Sequence, residues 1–426
     1  MTALLIKGGR LLDPGKGLDE VGDLLIVDDR IEGVGKVDAP ADATVIDATG
    51  LVVVPGLIDM HVHLREPGND EEETIDSGAK AAAFGGVTTV IAMPNTDPPI
   101  DTEAAAEFYR LQGKRSGMAN VYPVGCITKE RKGESLAEMG GLDRGGAIAF
   151  SDDGDSVRNT DVLRRGLMYA KMFDKPILEH CEDPHLAIGV MNAGPVAVRL
   201  GLSGNPAAAE EIMVSRDLSL AEITGGRLHI QHVSTGRAVD LIRRAKAEGV
   251  DVTCEATPHH FTLTHDEVES FNPVFKMRPP LRSAGDVAAV REGLKDGAID
   301  VIASDHAPHS NEEKDLEFSL APDGVIGVET MLSVTLTELV HTGVLTLGQA
   351  IEKMTAKPAK ILGLEDKGTF SAGKDADVTI IDLEKSWTVD RLKLHSKSHN
   401  CPFHGREMKG KAVITVVRGR VVVNER

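Results

Sequence analysis

Leu51-Val52-Val53-Val54-Pro55-Gly56-Leu57-Ile58-Asp59-Met60-His61-Val62-His63-Leu64-Arg65 is the stretch from which the fold can be read. An apolar run of strand length ends in two histidines spaced i, i+2. Successive side chains of a strand face opposite ways, so His61 and His63 point the same way and can hold one metal ion through neutral imidazole nitrogens. An isolated His-x-His is explained better by paired core histidines or by a solvated turn after a short strand. This one is not isolated. Asp152-Asp153 follow Gly146-Ala147-Ile148-Ala149-Phe150, His180 follows Lys175-Pro176-Ile177-Leu178, His232 follows Arg227-Leu228-His229-Ile230-Gln231, and Asp305, with His306 and His309, follows Asp300-Val301-Ile302-Ala303-Ser304. Each run is too short for a buried helix and is bounded by glycine, proline or acidic residues, as buried parallel strands are.

Eight such strands, ending near His61, Pro94, Thr128, Asp153, His180, His232, Pro258 and Asp305, alternate with helical patterns over 74–84, 102–112, 156–173, 236–248 and 285–295. The Ala, Leu, Glu, Lys and Arg content of those segments suits amphipathic helices. Eight strand-helix repeats predict an α/β fold, a closed (β/α)8 TIM-like barrel with its catalytic residues at the C-terminal ends of the strands. The chain ends differ, with short β patterns cut by Asp-Pro-Gly and Asp-Asp turns. Neither end has enough strands for a core, so residues 1–54 and 369–426 are predicted to form one composite β-sandwich domain beside a barrel spanning 55–368.

The 426-residue chain carries a formal net charge of −19, which would repel nucleic acid and anionic membrane surfaces, so neither is expected as a partner. Any anionic ligand needs a local positive site. Cys126, Cys181, Cys254 and Cys401 are scattered without a CxxC pair and read as reduced thiols of a cytoplasmic protein. No apolar span reaches the roughly 20 residues of a bilayer crossing, and Met1 leads straight into a strand pattern, so a soluble chain without a signal peptide is expected.

Four histidines and two aspartates from five strands make a nitrogen and carboxylate donor set without thiolates. Such a set suits Zn²⁺, with Mn²⁺ or Co²⁺ as substitutes. Six candidates including an acid able to bridge predict two metals about 3.5 to 4 Å apart with a water or hydroxide between them.

The motifs Gly56 to Gly68, Met93-Pro94-Asn95-Thr96, Ser151-Asp152-Asp153-Gly154, His180-Cys181-Glu182-Asp183, Gln231-His232-Val233-Ser234-Thr235, Cys254-Glu255-Ala256-Thr257-Pro258-His259-His260, Pro279-Pro280-Leu281-Arg282 and Ser304-Asp305-His306-Ala307-Pro308-His309 run in order through the whole barrel. On these residues the chain resembles the dihydroorotases of the amidohydrolase superfamily, in the long form common in bacteria. The resemblance implies reversible hydrolysis of (S)-dihydroorotate to N-carbamoyl-L-aspartate in pyrimidine biosynthesis. It makes His61 and His63 ligands of one zinc ion, His180 and His232 ligands of a second, and Asp153 the bridge. Asp305 becomes a ligand of the first metal and the general base and acid that serves the metal-bound hydroxide. Arg65 anchors the substrate carboxylate with Asn95 and His309, and His63 also lines the substrate. The expected partners are the small-molecule substrate, further copies of the chain in a homo-oligomer, and aspartate carbamoyltransferase as a candidate complex.

Adjacent Asp152 and Asp153 cannot both face the metals, and Asp152 reads as a loop or supporting acid. His259, His260 and His306 fit ligand orientation as well as a direct role. Cys181 faces away from its neighbour His180 and reads as a buried inert thiol. Arg278 stands where the family commonly has asparagine, and is expected to contact the ring or the carboxylate; the alternative is that it points away and leaves that contact to backbone groups. Asp323-Gly324 occupies a loop that resembles the family's backbone contact to the ring. The rival readings are a hydantoinase or allantoinase type of cyclic-amide hydrolase, and an inactive scaffold for aspartate carbamoyltransferase. Against the first stands the absence of the bridging lysine carried by many superfamily members, and against the second the retention of every ligand.

Overall fold

The computed structural model describes residues 2–426. The chain opens with β1 (Ala3–Asp13), β2 (Leu18–Val27), β3 (Arg30–Gly35), β4 (Thr44–Asp47) and β5 (Val52–Pro55). β1 pairs antiparallel with β2 and parallel with β4 and β5. Only Gly56 separates β5 from β6 (Leu57–Val62), the first barrel strand; a Cβ there would run into the side chain of Thr88, so glycine is required where the chain crosses between the two sheets.

β6 pairs in parallel with β7 (Val87–Ala92), and β7 with β8 (Asn120–Pro123). The fourth position is reduced to Phe150, which bridges Gly125 on one side and Ile177 on the other. β9 (Ile177–Glu179) follows, then a small ribbon of β10 (Met191–Asn192) and β11 (Gly204–Asn205) outside the ring. β12 (Leu228–Ile230), β13 (Val252–Ala256) and β14 (Val301–Ile302) complete the series, and a parallel bridge between Val62 and His306 closes it. The ring thus has the eight positions expected, one held by a single bridging residue.

Strand alternation sorts the core. Val90, Phe150, Ile177 and Ile302 pack outward against helices, whereas their neighbours Ile91, Ala149, Leu178 and Val301 join Met60, Met93 and Val124 inside the ring. The helices α1 (Ile75–Phe84), α2 (Glu103–Ser116), α3 (Met139–Gly145), α4 (Thr160–Ala170), α5 (Pro195–Leu200), α6 (Ala208–Thr224), α7 (Gly236–Ala247) and α8 (Ala284–Asp296) include all five that the sequence predicts. Thr74 and Ser283 start α1 and α8 with capping boxes. The 17-residue α6 escaped prediction because its buried face carries Glu210 and Asp217 and so shows no clean apolar stripe.

The C-terminal strands β15 (Val378–Thr388), β16 (Glu407–Val417) and β17 (Arg420–Asn424) return to the N-terminal ones. They give one sheet ordered β17-β16-β15-β5-β1-β2-β3 with β4 beside β1, over a core that includes Ile6, Leu11, Leu24, Ile26, Val53, Val378, Ile380 and Ile414. Both chain ends therefore build the β layer beside the barrel. Among the described residues no helix is long and apolar enough to cross a membrane.

Candidate metal centre

The strand ends bring all six predicted donors into one buried cluster. His61 Nε2 lies 3.4 Å from Asp153 Oδ2 and 3.5 Å from Asp305 Oδ1, and His63 Nε2 lies 3.4 and 3.2 Å from the same two atoms. The other oxygen of Asp153 faces a second pair, 3.6 Å from His180 Nδ1 and 3.7 Å from His232 Nε2, which are 2.9 Å from each other. Metal–ligand bonds of about 2.0 to 2.2 Å place tetrahedral ligands about 3.3 to 3.6 Å apart, and the four measured edges of the first set lie in or beside that range. Asp153 Oδ1 is buried without a hydrogen-bond donor, as an oxygen reserved for a cation is. The residues present fit metal binding.

The electrostatics agree. Burial alone would raise the Asp153 carboxyl, but His61, His180 and His232 outweigh it and hold it well below the usual range. Burial likewise works against a charged His180, yet Asp153 and Glu182 raise it to about 10. This much buried carboxylate calls for positive charge at the cluster, as a bound cation would supply.

The four candidate histidine ligands are steered by further contacts. His61 Nδ1 donates to Glu255 Oε1 at 2.5 Å, and the other Glu255 oxygen lies 3.2 Å from His229 Nε2, whose Nδ1 is 2.8 Å from Thr253 Oγ1. Burial opposes the Glu255 charge, but His61 and His229 keep its carboxyl down at about 2. His63 Nδ1 donates to Asn95 Oδ1 at 2.8 Å, and His180 Nε2 lies 3.3 Å from Glu182 Oε2. Glu210 accepts from the backbone N–H groups of Ser234 and Thr235, pinning the turn after His232. Glu182, Glu210 and Glu255 were missed as site residues in the sequence. For Glu182 the available signal was an acid two residues after the candidate ligand His180; the motif around Glu255 carries no candidate ligand.

Arg65 stands beside the first donor set in left-handed backbone conformation (φ 59°). Its Nε lies 2.9 Å from Glu72 Oε2 and donates to Pro308 O at 3.1 Å, while Nη2 is 3.4 Å from His309 Nε2. His309 in turn donates from Nε2 to Asp323 O at 2.8 Å, and Gly324 N–H donates to Lys276 O at 2.9 Å. Arg278 donates from Nη2 to Ala187 O at 2.5 Å, with Nε 3.5 Å from Glu182 Oε2 and 3.9 Å from Asp323 Oδ2. It therefore also touches the acid that steers His180. Asp152 turns away from Asp153 and accepts from the N–H groups of Ile127 and Thr128. Cys181 donates to Asp217 Oδ2 and stays outside the donor set; burial and that carboxylate push its thiol well up. His306 sits between Glu73 and Gly327 N–H, and His260 between Thr257 and Pro279 O, whereas the buried His259 Nε2 has no partner.

The amidohydrolase family model matches residues 52–422. The chain belongs to the amidohydrolase family. Within it, this amidohydrolase is 55% identical over 424 residues to a dihydroorotase of Pelotomaculum thermopropionicum, covering 99% of both chains. It is 52% identical over 421 residues to one of Geobacter metallireducens, covering 98% of this chain and 99% of the relative. Among solved structures, L-hydantoinase (dihydropyrimidinase) from Arthrobacter aurescens superimposes with a TM-score of 0.89 at 30% identity, over 100% of this chain and 97% of that one. D-hydantoinase (dihydropyrimidinase) from Thermus sp. gives 0.84 at 27% identity, over 99% and 95%. By sequence the amidohydrolase sits with the dihydroorotases, and its architecture is shared with hydantoinases.

Proposed function

We propose that this chain is a cytoplasmic dihydroorotase that opens the dihydroorotate ring reversibly to N-carbamoyl-L-aspartate, a step of pyrimidine biosynthesis, using two zinc ions. The observation that carries this reading is the Asp153 carboxylate, with one oxygen toward His61 and His63 and the other toward His180 and His232, in a chain about half identical to dihydroorotases along its whole length. Zinc ions held there would supply an activated water at neutral pH and polarise the ring carbonyl. Asp305 reaches only the first donor set, through Oδ1, and so can take a proton from the attacking water and return it to the leaving ring nitrogen. His61 and His63 hold their Nε2 atoms toward it because Glu255 and Asn95 occupy their Nδ1 atoms. Arg65 is fixed by Glu72 and Pro308, and its guanidinium offers two-point recognition of the substrate carboxylate next to His309. The fold likeness to hydantoinases does not favour their substrates, because dihydroorotate carries a carboxylate for which Arg65 is the complementary group. Four free buried cysteines fit a reducing compartment.

The test pairs metal analysis of the purified protein with turnover of dihydroorotate, hydantoin and allantoin. Two equivalents of zinc per chain and activity confined to dihydroorotate are expected. Hydantoin or allantoin turnover without dihydroorotate turnover would refute the assignment.

A further inference from the structure

At the end of β8 remote from the metal donors, a cavity of about 260 Å³ opens between α2 of the barrel and the turn joining β16 to β17. Arg110 and Lys114 line it from α2, and Arg418 and Arg420 from the turn, with Asn120 and Tyr122 between them. Charge compensation is sparse. Arg110 has only Glu107, at 3.6 Å, and its Nε is buried without a partner. Arg418 donates from Nε to the neutral Asn120 amide at 2.8 Å and from its backbone N–H to Asp377 Oδ1 at 2.9 Å, but among the described residues no carboxylate oxygen lies within 4.0 Å of the side-chain nitrogens of Arg418, Lys114 or Arg420.

Helix-end chemistry explains part of this, since Lys114 near the C-terminus of α2 complements a partial negative charge of about half a unit. The same helix end attracts Arg420, whose Nη2 lies beside Gly117, the C-cap of α2, whereas Arg418 belongs to the other layer and caps no helix. In a chain of net charge −19, four cations converging on one cavity make a local positive field that the global charge opposes. Guanidinium groups recognise phosphate through paired N–H donors, and a flexible lysine adds a point charge. The volume falls below the roughly 300 to 1,000 Å³ of drug-sized pockets, so it selects a small ligand, with Tyr122 as the one aromatic wall.

From this we infer that the cleft binds a small phosphorylated metabolite of sugar-phosphate size. The inference is independent of the proposed reaction, because none of its residues belongs to the metal centre. Occupation would tie the barrel to the β layer and raise the melting temperature by linkage.

Calorimetric titration of the full-length, metal-loaded protein with ribose 5-phosphate, inorganic phosphate and ribose tests it. Ribose 5-phosphate should bind with a dissociation constant under about 1 mM and raise the melting temperature, and ribose should do neither. Lys114→Glu/Arg420→Glu should weaken that binding at least about tenfold while dihydroorotate turnover stays at the wild-type level, and Lys114→Gln/Arg420→Gln should fall between. Both residues are exposed, so the variants should fold. No binding to the wild type, or undiminished binding by both variants, would overturn the site. Equal affinity for inorganic phosphate would overturn the sugar-phosphate assignment.

Discussion

Replacing Glu255 by glutamine isolates what a buried charge does for a metal ligand. Glu255 is fully buried, 2.5 Å from His61 Nδ1 and 3.2 Å from His229 Nε2, and also accepts from the His232 backbone N–H at 3.2 Å. Glutamine keeps the shape and an acceptor for His61 but removes the charge that makes Nε2 a stronger donor toward a cation. A hydrogen bond to a charged group is worth about 1.5 to 3 kcal/mol and a neutral one about 0.5 to 1.5 kcal/mol, so the substitution should cost about 1 to 1.5 kcal/mol. That corresponds to about a tenfold loss of metal affinity, the lower end of the roughly 10- to 100-fold seen when such supporting partners are changed. Chelator competition on the zinc-loaded protein measures it, and the loss should be confined to the metal on the His61 side. A thermal melt run in parallel shows whether the fold is intact. Glu255→Gln with metal affinity within about twofold of wild type would refute the reasoning, and His229→Gln, one contact further out, should have the smaller effect.

Asp305→Asn should keep metal on the other donors and lower dihydroorotate turnover by about 10² to 10⁴; activity within about tenfold of wild type would exclude Asp305 as the proton acceptor. Lys314 donates from Nζ to Pro273 O at 3.1 Å and Pro322 O at 2.7 Å, while Lys276 Nζ donates to Ser319 O and Ala321 O at 3.1 and 2.6 Å, so the two lysines clasp the segment leading to Asp323 and Gly324. Lys314→Met would leave those carbonyls unpaired at about 1 to 3 kcal/mol, and should raise KM for dihydroorotate with metal content unchanged; an unchanged KM would show that the clasp does not position the loop. The four buried thiols, with Cys254 and Cys401 pushed up to about 12 by burial and Cys126 and Cys181 also well raised, should all resist a disulfide reagent at pH 8 until the protein unfolds. One rapidly labelled thiol in the native protein would contradict that burial.

The barrel was legible because its candidate ligands terminate its strands, so a single reading of His61, His180, His232 and Asp305 marked both the proposed chemistry and the topology. Strand four shows where that reading stops. Asp153 lies in the donor cluster, yet the strand before it forms only the Phe150 bridges, and regular pairing cannot be told from a single bridge by composition. Acids acting through another residue were illegible for a different reason. Glu255 reaches His61 across 194 positions of sequence and Glu210 reaches Ser234 across 24, so neither partnership leaves a local pattern. Arg278 is a third case: its residue type suggested a substrate contact, while its partners Ala187, Glu182 and Asp323 come from two other loops that only the fold brings near.

The proposed Asp153 bridge changes what the centre would need in order to assemble. A bridging lysine of the kind this chain lacks serves only once it is carboxylated by dissolved carbon dioxide, so a centre built on one depends on the gas content of its surroundings as well as on metal. Asp153 arrives with its carboxylate already made, on a short arm whose neighbour Asp152 fastens the turn to Ile127 and Thr128. If the proposed centre is right, reconstitution of the metal-free chain should need metal alone, and should proceed as readily in degassed buffer as in bicarbonate.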